Sequence, residues 1–287
     1  MRLLITNDDG IESEGLLVLA RHLAATGHDV VVVAPDRNYS GSGAALGDLR
    51  PDELLDVQRV GLDGLPDVDA WALAGPPALC VVAANLGAFG PAPDLVVSGI
   101  NAGLNTGRSI LHSGTVGAAL TAQNFGLSGL AVSVDRSDPW QWDAAAALAV
   151  ELLDLVAGGP ERSVLNLNVP ASSRTEVKGV RWTHLAPFGA VRATMSTRSE
   201  TQVQFELTPS GYHPDEDTDQ GAVEAGWASI STLVGVAEAW PPDVDQPDRR
   251  PDFDARVTPG APLHAVHEMP DASQQHWLRR PQTGSVR

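Results

Sequence analysis

Two rhythms of apolar and polar positions run through the first 170 residues. Short continuous apolar runs read as strands buried on both faces. They are RLLIT (2–6), HDVVVVAP (28–35), DAWALAG (69–75), PDLVVSG (93–99), SGLAVSV (128–134) and SVLNLNVP (163–170). Between them lie segments with helical spacing. IESEGLLVLARHLAATG (11–27) brings Leu16, Leu17, Leu19, Ala20, Leu23 and Ala24 near one face, and Gly27 ends it. PALCVVAANLGAFG (77–90), GTVGAALTAQNFG (114–126) and DAAAALAVELLDLVAG (143–158) are the others. A strand, a helix and a strand within the first 35 residues make a βαβ unit, with parallel strands and a right-handed crossover expected. The repeated alternation predicts an α/β fold with an open, doubly wound, mostly parallel sheet.

The rhythm changes after Pro170. VKGVRWTHLA (177–186), AVRATMSTRS (190–199) and TQVQFELTP (201–209) alternate residue by residue, as antiparallel strands do. From Trp240 the chain is dense in Pro and Asp, and eight of its 21 prolines lie beyond that point. Such a segment buries too little apolar surface to fold and reads as a flexible tail. Three regions follow: an α/β catalytic domain over 1–172, a β-rich extension over 173–238 and a tail over 239–287.

Composition narrows the function. A net charge of −17 argues against binding to a nucleic-acid backbone, which needs clustered Lys and Arg. A small phosphorylated substrate stays open, because a metal ion or a helix N-terminus can hold it. Cys80 is the only cysteine, so no intrachain disulfide exists, and its apolar setting reads as a buried small side chain. No apolar run reaches the roughly 18 residues of a membrane span. The apolar start is short and interrupted by two aspartates, unlike a secretory signal, so a cytoplasmic location is expected.

The chemistry gathers at strand ends, where ligands bind in parallel α/β sheets. RLLIT runs straight into Asn7-Asp8-Asp9-Gly10. Two adjacent carboxylates stay ionised cheaply only beside a cation, and oxygen donors suit a hard ion such as Mg²⁺ or Mn²⁺. A helix cap is the simpler alternative, but it accounts for one carboxylate and not for the pair. After the second strand, PDRNYSGSG (35–43) offers the hydroxyls of Ser40 and Ser42 and close backbone approach at Gly41 and Gly43. After DLVV, SGINAGLNTG (98–107) supplies the neutral oxygens of Asn101 and Asn105. Ser113-Gly114-Thr115 opens a helix, where free N–H groups and hydroxyls make an anion site or an ordinary N-cap. A cation facing a phosphate fits this set, which points to metal-assisted phosphoryl hydrolysis.

The same blocks resemble the SurE family of survival-protein 5′/3′-nucleotidases. The resemblance rests on ITNDDGI (5–11), VVAPDRNYSGSG (32–43), SGINAGLNTG (98–107) and LHSGTVGAAL (111–120), in the family's order. LNLNVP (165–170) and DTDQGAVEAGWASIS (217–231) are weaker echoes. The resemblance implies a Rossmann-like domain acting as a divalent-metal phosphomonoesterase on nucleoside monophosphates. Its metal ligands fall on Asp8, Asp9, Ser40 and Asn101, all retained. It also implies a C-terminal hairpin exchanged between subunits, hence a homodimer or homotetramer. The chain departs from the family pattern at Gly43 and Ala45, where hydroxyls are usual. It departs again at Pro76 and Leu79, where Thr and Asp are usual, and at Leu120-Thr121-Ala122 in place of Met-Glu-Gly. These changes surround the expected metal centre and bear on substrate identity and rate more than on reaction type.

The expected mechanism gives Asp8 and Asp9 the catalytic role, one of them orienting or deprotonating a metal-bound water. Ser113, Gly114 and Thr115 hold the phosphate, and Asn7, Gly41 and Asn105 complete the pocket. An aspartyl-phosphate phosphatase is a rival, but such enzymes separate their two aspartates by one residue. A zinc deacetylase needs histidine ligands, and the nearest, His22 and His28, lie on or beyond the first helix. Binding of a nucleotide or metal without turnover, or action on a different phosphomonoester, completes the alternatives.

Overall fold

The computed structural model describes residues 1–50, 52, 54–188, 191–199, 201–209, 211 and 213–237. The expected tail over 239–287 lies outside the described residues. In chain order the elements are β1 (Arg2–Thr6), α1 (Glu14–Ala24), β2 (Asp29–Pro35), β3 (Val57–Leu62), β4 (Leu65–Leu73), α2 (Pro77–Asn85) and β5 (Leu95–Ala102). A 3₁₀ turn (Gly107–His112) leads into α3 (Gly114–Asn124), β6 (Ser128–Val134), α4 (Trp142–Ala157) and β7 (Val164–Val169). Then come β8 (Val180–Trp182), β9 (Val191–Arg198), β10 (Val203–Pro209), α5 (Asp219–Glu224) and β11 (Ala228–Leu233).

One sheet runs β3-β4-β2-β1-β5-β6-β7-β11-β8. From β4 to β7 every neighbouring pair is parallel. The continuous apolar runs follow from this, since a central parallel strand is covered on both faces. Leu3 and Ile5 of β1 enter the core beneath α1 and α4, while Leu4 faces the core built with α2 and α3. Cys80 lies fully buried in that second core, as its apolar setting predicts. The steps β5–α3–β6 and β6–α4–β7 run in the same direction across the sheet, yet their helices lie on opposite faces. The two crossovers therefore have opposite hands, an exception to the usual rule.

Past Pro170 the chain divides its strands between two sheets. β11 pairs antiparallel with β7 and covers its edge, and β8 pairs parallel with β11, so both widen the main sheet. β9 and β10 form a separate antiparallel hairpin. Helix α1 begins at Glu14, capped by Ser13, and not at Ile11. The reason is local. The Asn7 side chain accepts from Gly10 N (3.2 Å) and donates to Gly10 O (3.0 Å) and Ser13 Oγ (2.6 Å), so Asn7–Ser13 is spent on a turn. Gly10 sits in that turn at φ +103, against the Arg37 backbone, where a side chain would be strained.

Candidate active site

β1 lies at the middle of the sheet, with β2 on one side and β5 on the other. The chain leaves β1 for β2 through α1, while β5 is reached from the far edge through α2, so the strand order reverses here. Crevices at such points hold the ligands of α/β sheets. Asn7, Asp8 and Asp9 follow β1 into this crevice.

The two carboxylates face different walls. Asp8 is nearly fully buried. Its Oδ1 accepts from Thr115 Oγ1 at 2.6 Å and its Oδ2 from Gly114 N at 3.1 Å, at the first turn of α3. An ideal Cβ on Gly114 would lie 2.6 Å from Asp8 Cβ, 2.8 Å from Oδ2 and 2.9 Å from Ser42 Oγ, so glycine makes room for this contact. Asp9 is half-buried and turned the other way. Its Oδ2 accepts from Ala102 N at 3.4 Å, and its Oδ1 accepts from Asn38 Nδ2 at 3.2 Å. Neither aspartate caps α1; Ser13 does.

Burial raises the Asp8 carboxyl above its ordinary range, against the opposing hydrogen bonds from Thr115 and Gly114. Burial also raises Asp9, and the neighbouring Asp8 charge raises it further. Among the described residues no Lys, Arg or His forms an ion pair with either carboxylate. Among the described residues, then, no cationic side chain offsets the negative charge that this pair carries when ionised.

Neutral oxygens stand on both flanks. The loop after β2 is drawn in by Tyr39 N, which donates to Asp8 O at 2.7 Å. Ser40 follows, exposed, with its N–H donating to Asn38 Oδ1 at 2.8 Å. Asn38 thus ties Asp9 to Ser40, a role that the sequence pattern left unmarked although it lies inside PDRNYSGSG. On the other flank, the pairing of β5 with β6 shifts register between Ser98 and Asn101. Such irregularities re-aim side chains. Asn101 donates from Nδ2 to Gly103 O at 2.7 Å, which commits its donor end and leaves Oδ1 as an acceptor. Asp8, Asp9, Ser40 and Asn101 therefore present oxygen, two charged and two neutral, which suits a hard divalent cation. No cluster of three or more His, Cys, Asp or Glu forms among the described residues. His22 and His28 lie at the far end of α1 and just before β2, remote from this crevice.

The other expected residues divide. Ser113 caps α3, its Oγ accepting from Val116 N at 3.1 Å, which leaves its hydroxyl proton to donate elsewhere. The helix start expected to be open to an anion is already occupied at Gly114 and Thr115 by Asp8. Gly41 is exposed beside Ser40, at φ +88. Asn7 is wholly buried and braces the turn described above. Asn105 is gripped on all sides: its N–H donates to Asn168 Oδ1 (2.8 Å), and its carbonyl accepts from Asn166 Nδ2 and Asn168 Nδ2 (2.9 Å each). Its Nδ2 donates to Ser133 Oγ (2.8 Å). The polar residues of LNLNVP explain themselves here: Asn166 and Asn168 lie in a fully buried strand because they hold the Asn105 loop.

Comparison with known proteins identifies the family. The family model described as Survival protein SurE matches residues 3–189. A protein of Aeromonas hydrophila named 5′-nucleotidase SurE is 36% identical over 239 residues, covering 82% of this chain and 92% of its own. One from Erwinia tasmaniensis named 5′/3′-nucleotidase SurE is 36% identical over 240 residues, covering 81% and 90%. The crystal structure of the SurE protein from Aquifex aeolicus superposes with a TM-score of 0.69 at 31% identity, over 83% of this chain and 95% of that one. With the site blocks in place and the fold shared across most of both lengths, the chain belongs to the SurE family.

Proposed function

We propose that this protein hydrolyses nucleoside 5′- or 3′-monophosphates to nucleoside and phosphate, using one Mg²⁺ or Mn²⁺ ion per subunit. The observation that carries the reading is the unneutralised carboxylate pair at the end of β1, flanked by Ser40 and Asn101 and set against the first turn of α3. The names of the relatives, 5′-nucleotidase and 5′/3′-nucleotidase, support the substrate class. No helix among the described residues is long and apolar enough to cross a membrane.

Asp8, Asp9, Ser40 and Asn101 would hold the ion. When bound, it supplies a water acidified toward neutral pH and offsets charge on the phosphate oxygens. Asp8 is fixed by Thr115 and Gly114 and serves as the rigid ligand. Asp9, less buried and held by weaker contacts, is suited to orient the attacking water and take its proton. Ser113 has a hydroxyl proton free for a phosphate oxygen at the start of α3, with Gly114 and Thr115 shaping that wall. Gly41 keeps the facing wall low. Asn7 and Asn105 contribute by bracing the two loops. On the hairpin, Met195, Val203 and Phe205 are more than half exposed, which supports assembly into a homodimer or homotetramer.

The test is a panel of 5′- and 3′-nucleoside monophosphates and p-nitrophenyl phosphate with Mg²⁺, with Mn²⁺ and with EDTA. Phosphate release from at least one nucleotide, abolished by EDTA, is expected. Binding without turnover overturns the hydrolase reading. Turnover that survives EDTA overturns the cation.

A further inference from the structure

Asp219 is fully buried and belongs to no part of the mechanism above. A carboxylate without exposure is costly unless donors surround it, and here three backbone N–H groups do. Oδ2 accepts from Gly107 N at 2.8 Å; Oδ1 accepts from Ala186 N at 2.9 Å and from Gln220 N at 2.8 Å. These donors belong to three separate segments. Gly107 opens the 3₁₀ turn that leads to Ser113 and α3. Ala186 lies at the root of the segment that continues into the β9–β10 hairpin. Gln220 is in α5, beside Asp219 itself.

The contact between the first two segments is close. Gly107 has φ +60, and an ideal Cβ there would lie 2.6 Å from Phe188 O and 2.9 Å from Ala186 O. The 3₁₀ turn is fixed at its far end as well, since His112 O accepts from Gly43 N at 3.1 Å, in the loop that carries Ser40. The turn thus spans from Asp219 to the two walls that meet at Asp8. Asp219 grips its start at Gly107, two residues past the Asn105 anchor, and the same side chain also pins the hairpin root.

We propose that Asp219 is a positioning residue for the phosphate end of the site, holding the Gly107–His112 turn and the hairpin root in one arrangement. The inference rests on the proposed hydrolase reading. Ser113 is the residue delivered by that turn, and a displacement of about 1 Å at a positioning group costs about 10²-fold in an enzyme. Because coupling between sites is reciprocal, phosphate bound at α3 also steadies the hairpin root.

The test compares wild type with Asp219→Asn, which keeps the shape and sets an amide N–H₂ against backbone donors. Steady-state hydrolysis of a nucleoside monophosphate at saturating Mn²⁺ should show KM raised at least about fivefold, with kcat changed less. Competition by inorganic phosphate should weaken in parallel. Unchanged KM with only a lowered melting temperature overturns the inference and leaves the hydrolase reading standing. Absence of hydrolysis by wild type overturns that reading and this inference together. A second measurement needs no variant: hydrogen exchange of wild type with Mn²⁺, with and without inorganic phosphate. Slower exchange at Gly107 and at Ala186 is expected. Protection confined to Ser113–Thr115, with Ala186 unmoved, overturns the coupling.

Discussion

Asp8 and Asp219 are both buried carboxylates, and each accepts hydrogen bonds from the start of a structural element. They differ in what remains unsatisfied. Asp219 stands without a second carboxylate beside it in the hydrogen-bond cluster, and three backbone donors from three segments converge on it. Asp8 has Thr115 and Gly114 on its own oxygens, but Asp9 follows it in the chain and raises the charge that this pocket must bear. Asp219 is complete as the protein folds. On the proposed reading, the Asp8–Asp9 pair is completed by a cation. Burial of a carboxylate is thus common to both places, and the uncompensated neighbour separates a site from a strut.

The largest effect that bears on this contrast comes from removing one charge of the pair. Asp8→Asn and Asp9→Asn should each lower nucleotide hydrolysis by at least about 10², the loss typical of an electrostatic contributor to a hydrolytic site. The folds should survive, because Asn is nearly isosteric. Mn²⁺ should raise the melting temperature of wild type by mass action and fail to raise that of Asp9→Asn. Wild-type turnover in both variants would erase the distinction between the pair and Asp219.

The legible part of the molecule was what period and spacing encode. The parallel strands β1, β2, β5, β6 and β7 show as apolar runs, β4 only in its second half, and all four major helices show in the sequence. The paired aspartates were visible because like charges at a strand end contradict packing. Other features were hidden for physical reasons. β3 pairs antiparallel at the sheet edge, and its mostly exposed side chains give no continuous run. α5 has six residues, too few for a periodic signal. VKGVRWTHLA, which contains β8, alternates as an antiparallel strand does, and nothing in that alternation tells that β8 pairs parallel with β11 at the edge of the main sheet. At the site, Asn38 acts by bridging Asp9 and Ser40, and Asp219 acts from more than a hundred residues beyond Gly107. Such roles depend on what the fold brings together, and residue type alone does not announce them. Gly114 and Thr115 carry the opposite lesson: they read as an empty anion cradle, and the fold fills it with Asp8.

An intermediate effect is expected at Thr115. Thr115→Val keeps the volume and removes the hydroxyl that donates to Asp8 Oδ1 at 2.6 Å. A hydrogen bond to a charged group contributes roughly 1.5–3 kcal/mol. Activity should therefore fall about tenfold or more, with Thr115→Ser retaining most of it. If Thr115→Val matches wild type in both hydrolysis and melting temperature, the rigid anchoring of Asp8 is wrong, and Asp8 resembles Asp9 more than it resembles Asp219.

The smallest effect is a pH dependence at Asp219, and its sign follows from the direction of the shift. Burial holds this carboxyl above its ordinary range, with the N–H groups of Ala186, Gly107 and Gln220 opposing. An unfolded Asp titrates near about 3.9. Between that value and the raised folded one, the folded state binds the proton more tightly, so stability falls as pH rises. The contribution of this group is complete below the unfolded value and is lost as pH climbs through the folded one. Asp219→Asn does not titrate. His184 and Asp217, which lie on the adjoining backbone, are common to both proteins. Urea unfolding of wild type and Asp219→Asn at several pH values from about 4 to 7 should therefore show the stability gap at its widest in acid and narrowing toward neutrality. A gap that widens instead would mean that the three donors outweigh burial. Asp219 would then be a carboxylate held in its charged form, and the contrast with the Asp8–Asp9 pair would become sharper still.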